Sequence, residues 1–105
     1  MKFTCAYIAH TPDADPAVHR SVVETEITKL FTILVKTQEQ AVAESKKLAA
    51  EEGIQSMVLC PGFTNADVAE LQAAVGKNVA ISVARGDGPG NRIIMETFQK
   101  VGWFG

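Results

Sequence analysis

Residues 30–59 read LFTILVKTQEQAVAESKKLAAEEGIQSMVL. Leu30–Val35 is an apolar run broken only by Thr32, as in a strand with both faces buried. Thr37, followed three residues later by Gln40, has the spacing of a capping box, in which each residue satisfies an otherwise unpaired backbone donor at a helix start. Ala41, Ser45, Leu48 and Glu52 then form one helical stripe, with Val42 and Ala49 beside it. Gly53 stands where a helix stop is expected. Ile54–Leu59, apolar apart from Gln55 and Ser56, is the next strand. Strand, capped helix and strand at this spacing predict parallel strands joined by a right-handed crossover.

The same rhythm extends in both directions. Apolar runs begin near Phe3, Leu30, Ile54 and Val79, roughly 25 residues apart. Phe3–Ala9 and Val79–Ala84 therefore read as two further strands. Thr64 caps a second helix carrying Val68, Leu71 and Val75 on one face, closed by Gly76. A last helix follows Asn91, with Ile94, Phe98 and Val101 expected inward. Asp15-Pro16 is a helix-start signal, and it predicts a short helix over Pro16–Glu24. Against that, Val22, Val23, Thr25, Ile27 and Thr28 are β-branched, so residues 16–28 also have the character of an extension of the next strand. The expected fold is α/β, with four mainly parallel strands alternating with helices. It is either a small open sheet or half of a strand–helix barrel.

At 105 residues the chain is expected to be a single domain spanning 1–105. A net charge of −2 is close to balanced and gives no sign of the strongly basic surface of a nucleic-acid binder. No apolar stretch is long enough for a membrane span, and the N-terminus lacks signal-peptide anatomy. Cys5 and Cys60 lie far apart without metal-ligand spacing, which predicts reduced, unbridged thiols and a cytoplasmic protein.

Parallel strands direct their C-terminal ends to one edge, and ligands bind outside it. The loops at that edge supply His10, Thr11 and Asp13, then Lys36 and Thr37, then Cys60, Gly62, Thr64 and Asn65, then Arg85, Gly86, Asp87 and Asn91. Cys60, ahead of a helix N-terminus, is the candidate nucleophile or acid, with His10 as its base or acid. The bland alternative is a buried strand residue with an inert thiol. Gly86–Gly90 opens onto a helix whose free N–H groups can receive an anion, with Arg85 adding charge. That segment is neither a phosphate loop nor a dinucleotide fingerprint. His10, Asp13, Asp15 and His19 are set aside as a metal site in favour of capping and exposure. No cofactor is expected.

Ala6–His10, Pro12–Pro16 with His19-Arg20, the helix from Ala41 to Gly53, and Leu59-Cys60-Pro61-Gly62-Phe63 together resemble an uncharacterised family of short bacterial α/β proteins, a domain of unknown function. The resemblance covers nearly the whole chain, and its most specific element is the Cys-x-Gly-Phe turn. It implies a bacterial, cytoplasmic, single-domain protein and transfers no catalytic residue.

The leading expectation is binding of a small anionic metabolite at the strand C-terminal edge. The backbone of Gly62–Asn65 and Gly86–Asn91 would supply the donors, with Arg85 as charge partner. The alternatives are a small lyase, isomerase or hydrolase using Cys60 and His10, and a structural self-assembling unit. Nucleic acid and membrane are not expected as partners. A homodimer is, because sheet edges need covering and Trp103-Phe104 lies beyond the last helix.

Overall fold

The computed structural model describes residues 1–105. Five strands form one sheet: β1 (Phe3–His10), β2 (Arg20–Glu24), β3 (Thr28–Val35), β4 (Ser56–Leu59) and β5 (Ala80–Val83). Their order is β2-β3-β1-β4-β5. β3, β1, β4 and β5 pair in parallel, so the four expected strands share one direction. The fifth, β2, runs antiparallel to β3 at the sheet edge. A strand–helix barrel keeps its parallel strands in chain order, whereas here β1 lies between β3 and β4 and β2 is antiparallel, which removes the half-barrel alternative.

β2 occupies the segment where a helix over Pro16–Glu24 was expected. The Asp15 signal is used, but for a single turn. Asp15 Oδ1 accepts from Ala17 N–H at 3.0 Å, and the Asp15 carbonyl accepts from His19 N–H at 2.8 Å. Beyond that turn the β-branched Val22 and Val23 pair with Phe31 and Leu30. Extended backbone suits them better than a helix.

Three helices follow: α1 (Gln38–Lys47), α2 (Asn65–Val75) and α3 (Asn91–Val101). Both capping boxes form, Thr37 with Gln40 and Thr64 with Asp67. After α1 the chain continues through a π-helical turn, Leu48–Glu52, and stops at Gly53, which takes the left-handed conformation at φ 62°. None of the helices is long and apolar enough to cross a membrane.

The steps from β3 to β4 and from β4 to β5 both run the same way across the sheet. Crossovers of one hand therefore put α1 and α2 on the same face. There they pack on each other, and Gln38 Nε2 donates to the Asp67 carbonyl and to Glu70 Oε1. The core lies beneath them: Ala6 and Ile8, Phe31, Ile33 and Val35, Met57 and Leu59, with Ala41, Leu48 and Leu71 from the helices. Each fully buried aliphatic side chain there contributes about 1.5–3 kcal/mol.

The step from β1 to β3 runs the opposite way, and a crossover helix there would have covered the second face. The chain instead passes over the end of β3, held by Thr11 N–H to the Val35 carbonyl at 2.9 Å and Leu34 N–H to the His19 carbonyl at 3.0 Å. It then descends as β2. The second face, with Phe3, Cys5 and Tyr7 at its centre, carries no helix. The expectation that β1 is buried on both faces is corrected accordingly. So is the inward placement of α3, which buries no residue: Ile94 is 43% and Val101 67% exposed. α3 follows the glycine-rich turn after β5 and borders the sheet's C-terminal edge.

Candidate functional site

A cleft of about 700 Å³ opens at the C-terminal edge of β1, β4 and β5. One wall is the strand ends: His10, Cys60 to Gly62, Val83 and Ala84. The floor is Gly86, Asp87 and Asn91, and the opposite wall is Ile94, Met95, Phe98 and Trp103. Of the residues expected at a site, His10, Cys60, Gly62, Gly86, Asp87 and Asn91 converge here. Thr64, Asn65 and Arg85 do not line the cleft.

His10 ends β1, beside Val35 at the end of β3. Its ring stacks on Phe63, with centroids 4.1 Å apart and planes 21° from parallel. The stack fixes the imidazole over the turn that follows β4. Neither ring nitrogen hydrogen-bonds to another protein group, so both are free for a ligand. Burial lowers the His10 pKa below its ordinary 6.5, and the Asp67 carboxylate only partly opposes this. The imidazole is therefore neutral at neutral pH, with one nitrogen a donor and the other an acceptor.

Cys60 follows β4 directly. Its Sγ accepts a hydrogen bond from the His10 backbone N–H at 3.3 Å. A Cβ placed on Gly62 would stand 3.5 Å from Cys60 Sγ and 3.5 Å from His10 Nδ1. The thiol and the ring nitrogen thus flank one point, left open because residue 62 has no side chain. Both cysteines are free, Cys5 in the middle of β1 and Cys60 at the cleft.

Arg85 turns to its own loop. Its Nε and Nη2 donate to Asp87 Oδ1 and Oδ2 at 2.9 and 2.7 Å, a two-pronged pair in open solvent. That contact raises the Arg85 pKa and lowers that of Asp87. The guanidinium and the Asp87 carboxylate are matched to each other within the loop, and of the two only Asp87 lines the cleft. Thr64 and Asp67 are likewise occupied, each bonding the other's backbone N–H at the start of α2. In the first loop, His19 Nδ1 accepts from Asp15 N–H at 2.9 Å and Thr11 Oγ1 donates to Asp13 at 2.8 Å.

The aromatic wall was not expected at the site. Phe98 and Trp103 stack at 4.0 Å with planes 6° apart, and Phe104 meets Phe98 edge-on at 6.2 Å. Gly102, left-handed at φ 79°, turns the chain so that Trp103 N–H reaches the Phe98 carbonyl at 2.9 Å. The readable signal is the pairing of Phe98 with an aromatic five residues on across a glycine, which folds back along the helix rather than into the sheet.

A family model matches residues 3–99, and its description is a family of unknown function, DUF6506. The chain belongs to this family. The match takes in all five strands, His10, Cys60 and most of α3. No curated protein and no solved structure matches the chain.

Proposed function

We propose that this DUF6506 protein binds a small molecule with a flat apolar body in the cleft at the C-terminal edge. The ligand lies along Phe98 and Trp103, and His10 hydrogen-bonds its polar end. One observation carries the reading: an imidazole with no protein hydrogen-bond partner faces an apolar, aromatic wall across a single cleft of small-molecule size. The sheet edge is the place where parallel α/β folds bind ligands. An anionic ligand finds less support than a neutral one, because the Arg85–Asp87 pair leaves no net positive charge in the loop at the cleft. The bacterial, cytoplasmic setting implied by the sequence is part of the same proposal.

An NMR titration with benzamide and with benzoate tests it. Shifts should cluster at His10, Gly62 and the Trp103 indole, with benzamide the tighter of the two. Tighter benzoate binding would restore the anion reading, and no shift at millimolar probe would sink both.

A second reading is favoured by the opening at Gly62, where Cys60 Sγ and His10 Nδ1 face one point. A substrate carbon held there would meet a thiol nucleophile and a base together. In a Cys5→Ser background, His10→Ala should then slow iodoacetamide alkylation of Cys60. Equal Cys60 rates with and without the imidazole would remove the enzyme reading.

A further inference from the structure

The uncovered face of the sheet carries an uncharged patch across all five strands. Paired residues in a ladder point to the same side, so the registers assign each side chain. On the open face stand Phe3, Cys5 and Tyr7 of β1, Leu30 and Thr32 of β3, and Val58 of β4. They continue into Val23 at one edge and Ser82 at the other. None of the strand residues on this side is charged. The charged strand residues Arg20, Glu24 and Lys29 all point to the other face, where Arg20 meets Glu44 and Lys29 meets Glu52. Segregation this complete is not expected of a surface that faces water.

We infer that this face binds a second copy of the chain, open face to open face, about a two-fold axis. Parallel sheets are covered on both faces, and the connection that would have covered this one became β2 instead. Five strands about 4.8 Å apart make the face roughly 20 Å wide. Strands of four to eight residues give it a plan area on the order of 400 Å², which places the dimer at the small, weakly associating end of specific interfaces. A face without charges offers nothing for a charged partner to read, whereas an identical uncharged face matches it. The face also has relief of the kind a two-fold can use. A depression of about 400 Å³ is lined by Tyr7, Leu30 and Val58, and Phe3 at its rim is half-exposed. The two-fold carries each Phe3 towards the partner's depression. This packing leaves the cleft at the sheet's C-terminal edge untouched, so it stands apart from the ligand reading.

Light scattering on the full chain at hundreds of micromolar should give twice the 11.3 kDa chain mass. Thr32→Arg places a charge near the middle of the face, and it should return the mass to one chain with an unchanged far-UV circular dichroism spectrum. Should that variant not fold, Ser82→Arg on the exposed edge strand makes the same test. Location is read from Cys5 in a Cys60→Ser background. Its alkylation should slow about tenfold as protein concentration rises through the dimer dissociation constant, by mass action. A monomer at hundreds of micromolar overturns the inference. So does a dimer that survives the arginine, or one whose Cys5 reacts at the monomer rate.

Discussion

A methyl group on Gly86 would stand 2.4 Å from Pro61 Cβ and 2.9 Å from its Cγ. The proline ring is rigid, so something else has to move. The contact locks the turn after β5 against the turn after β4, and it sets the floor of the cleft. Gly86→Ala should destabilise the fold by about 1–3 kcal/mol, the usual cost of overpacking. Urea denaturation measures this, and a loss within error of zero would show that the two turns are not locked. His10 makes a second residue-scale prediction. Its folded-state pKa lies below the ordinary 6.5 because burial disfavours the imidazolium. A base depressed in the fold is protonated first in the unfolded chain, so its contribution is complete above pH 6.5 and declines as pH falls through 6.5 towards the lowered value. His10→Gln should flatten the pH dependence of the melting temperature in that window. An unchanged slope would place the burial cost elsewhere. Sequence reasoning found His10 and Cys60 because both end strands. It did not find the Phe63 stack or the pairing of Arg85 with Asp87, because each depends on side-chain direction within a loop, which spacing does not encode.

At the scale of elements, the local signals that worked were those in which a side chain satisfies its own backbone. Thr37 with Gln40, Thr64 at the start of α2 and Gly53 as a stop were all legible, since capping is decided within four residues. The Asp15-Pro16 signal was equally local and equally satisfied, yet the next residues joined the sheet. A long-range ladder with β3 outcompeted a helix of β-branched residues. α3 failed differently. Its apolar stripe is real, but a stripe says which side wants cover and not what supplies it. Thr64→Ala removes the acceptor for Asp67 N–H at 3.1 Å. It should cost about 1 kcal/mol, the typical price of a lost N-cap. It should also leave the cleft intact, because Thr64 does not line it. A melting-temperature scan together with the benzamide titration checks both halves. Lost ligand shifts in a folded variant would bring Thr64 back into the site.

Across the whole molecule, stability should grade from the centre of the sheet outwards. β1 is paired on both sides, and its Ile8 lies between Ile33 of β3 and Leu59 of β4, none of them exposed. β2 is exposed throughout, and α3 has no buried residue. Opening α3 uncovers little beyond the Phe98–Trp103 stack, so it should cost far less than global unfolding. Native-state hydrogen exchange should therefore find the slowest amides in β1, β3 and β4, with α3 exchanging through a separate, low-energy opening. The same gradient bears on function, because α3 is one wall of the cleft while His10 and Cys60 belong to the rigid sheet. A ligand bridging the two stabilises the native state against both the local and the global opening, so saturating benzamide should slow exchange in α3 and, by mass action, in the globally exchanging amides of β1 as well. If α3 already exchanges as slowly as β1 without ligand, its packing is tighter than its exposure implies and the cleft is a fixed pocket. If probe slows the sheet instead of α3, the ligand sits on the open face, and the site at the strand ends is wrong.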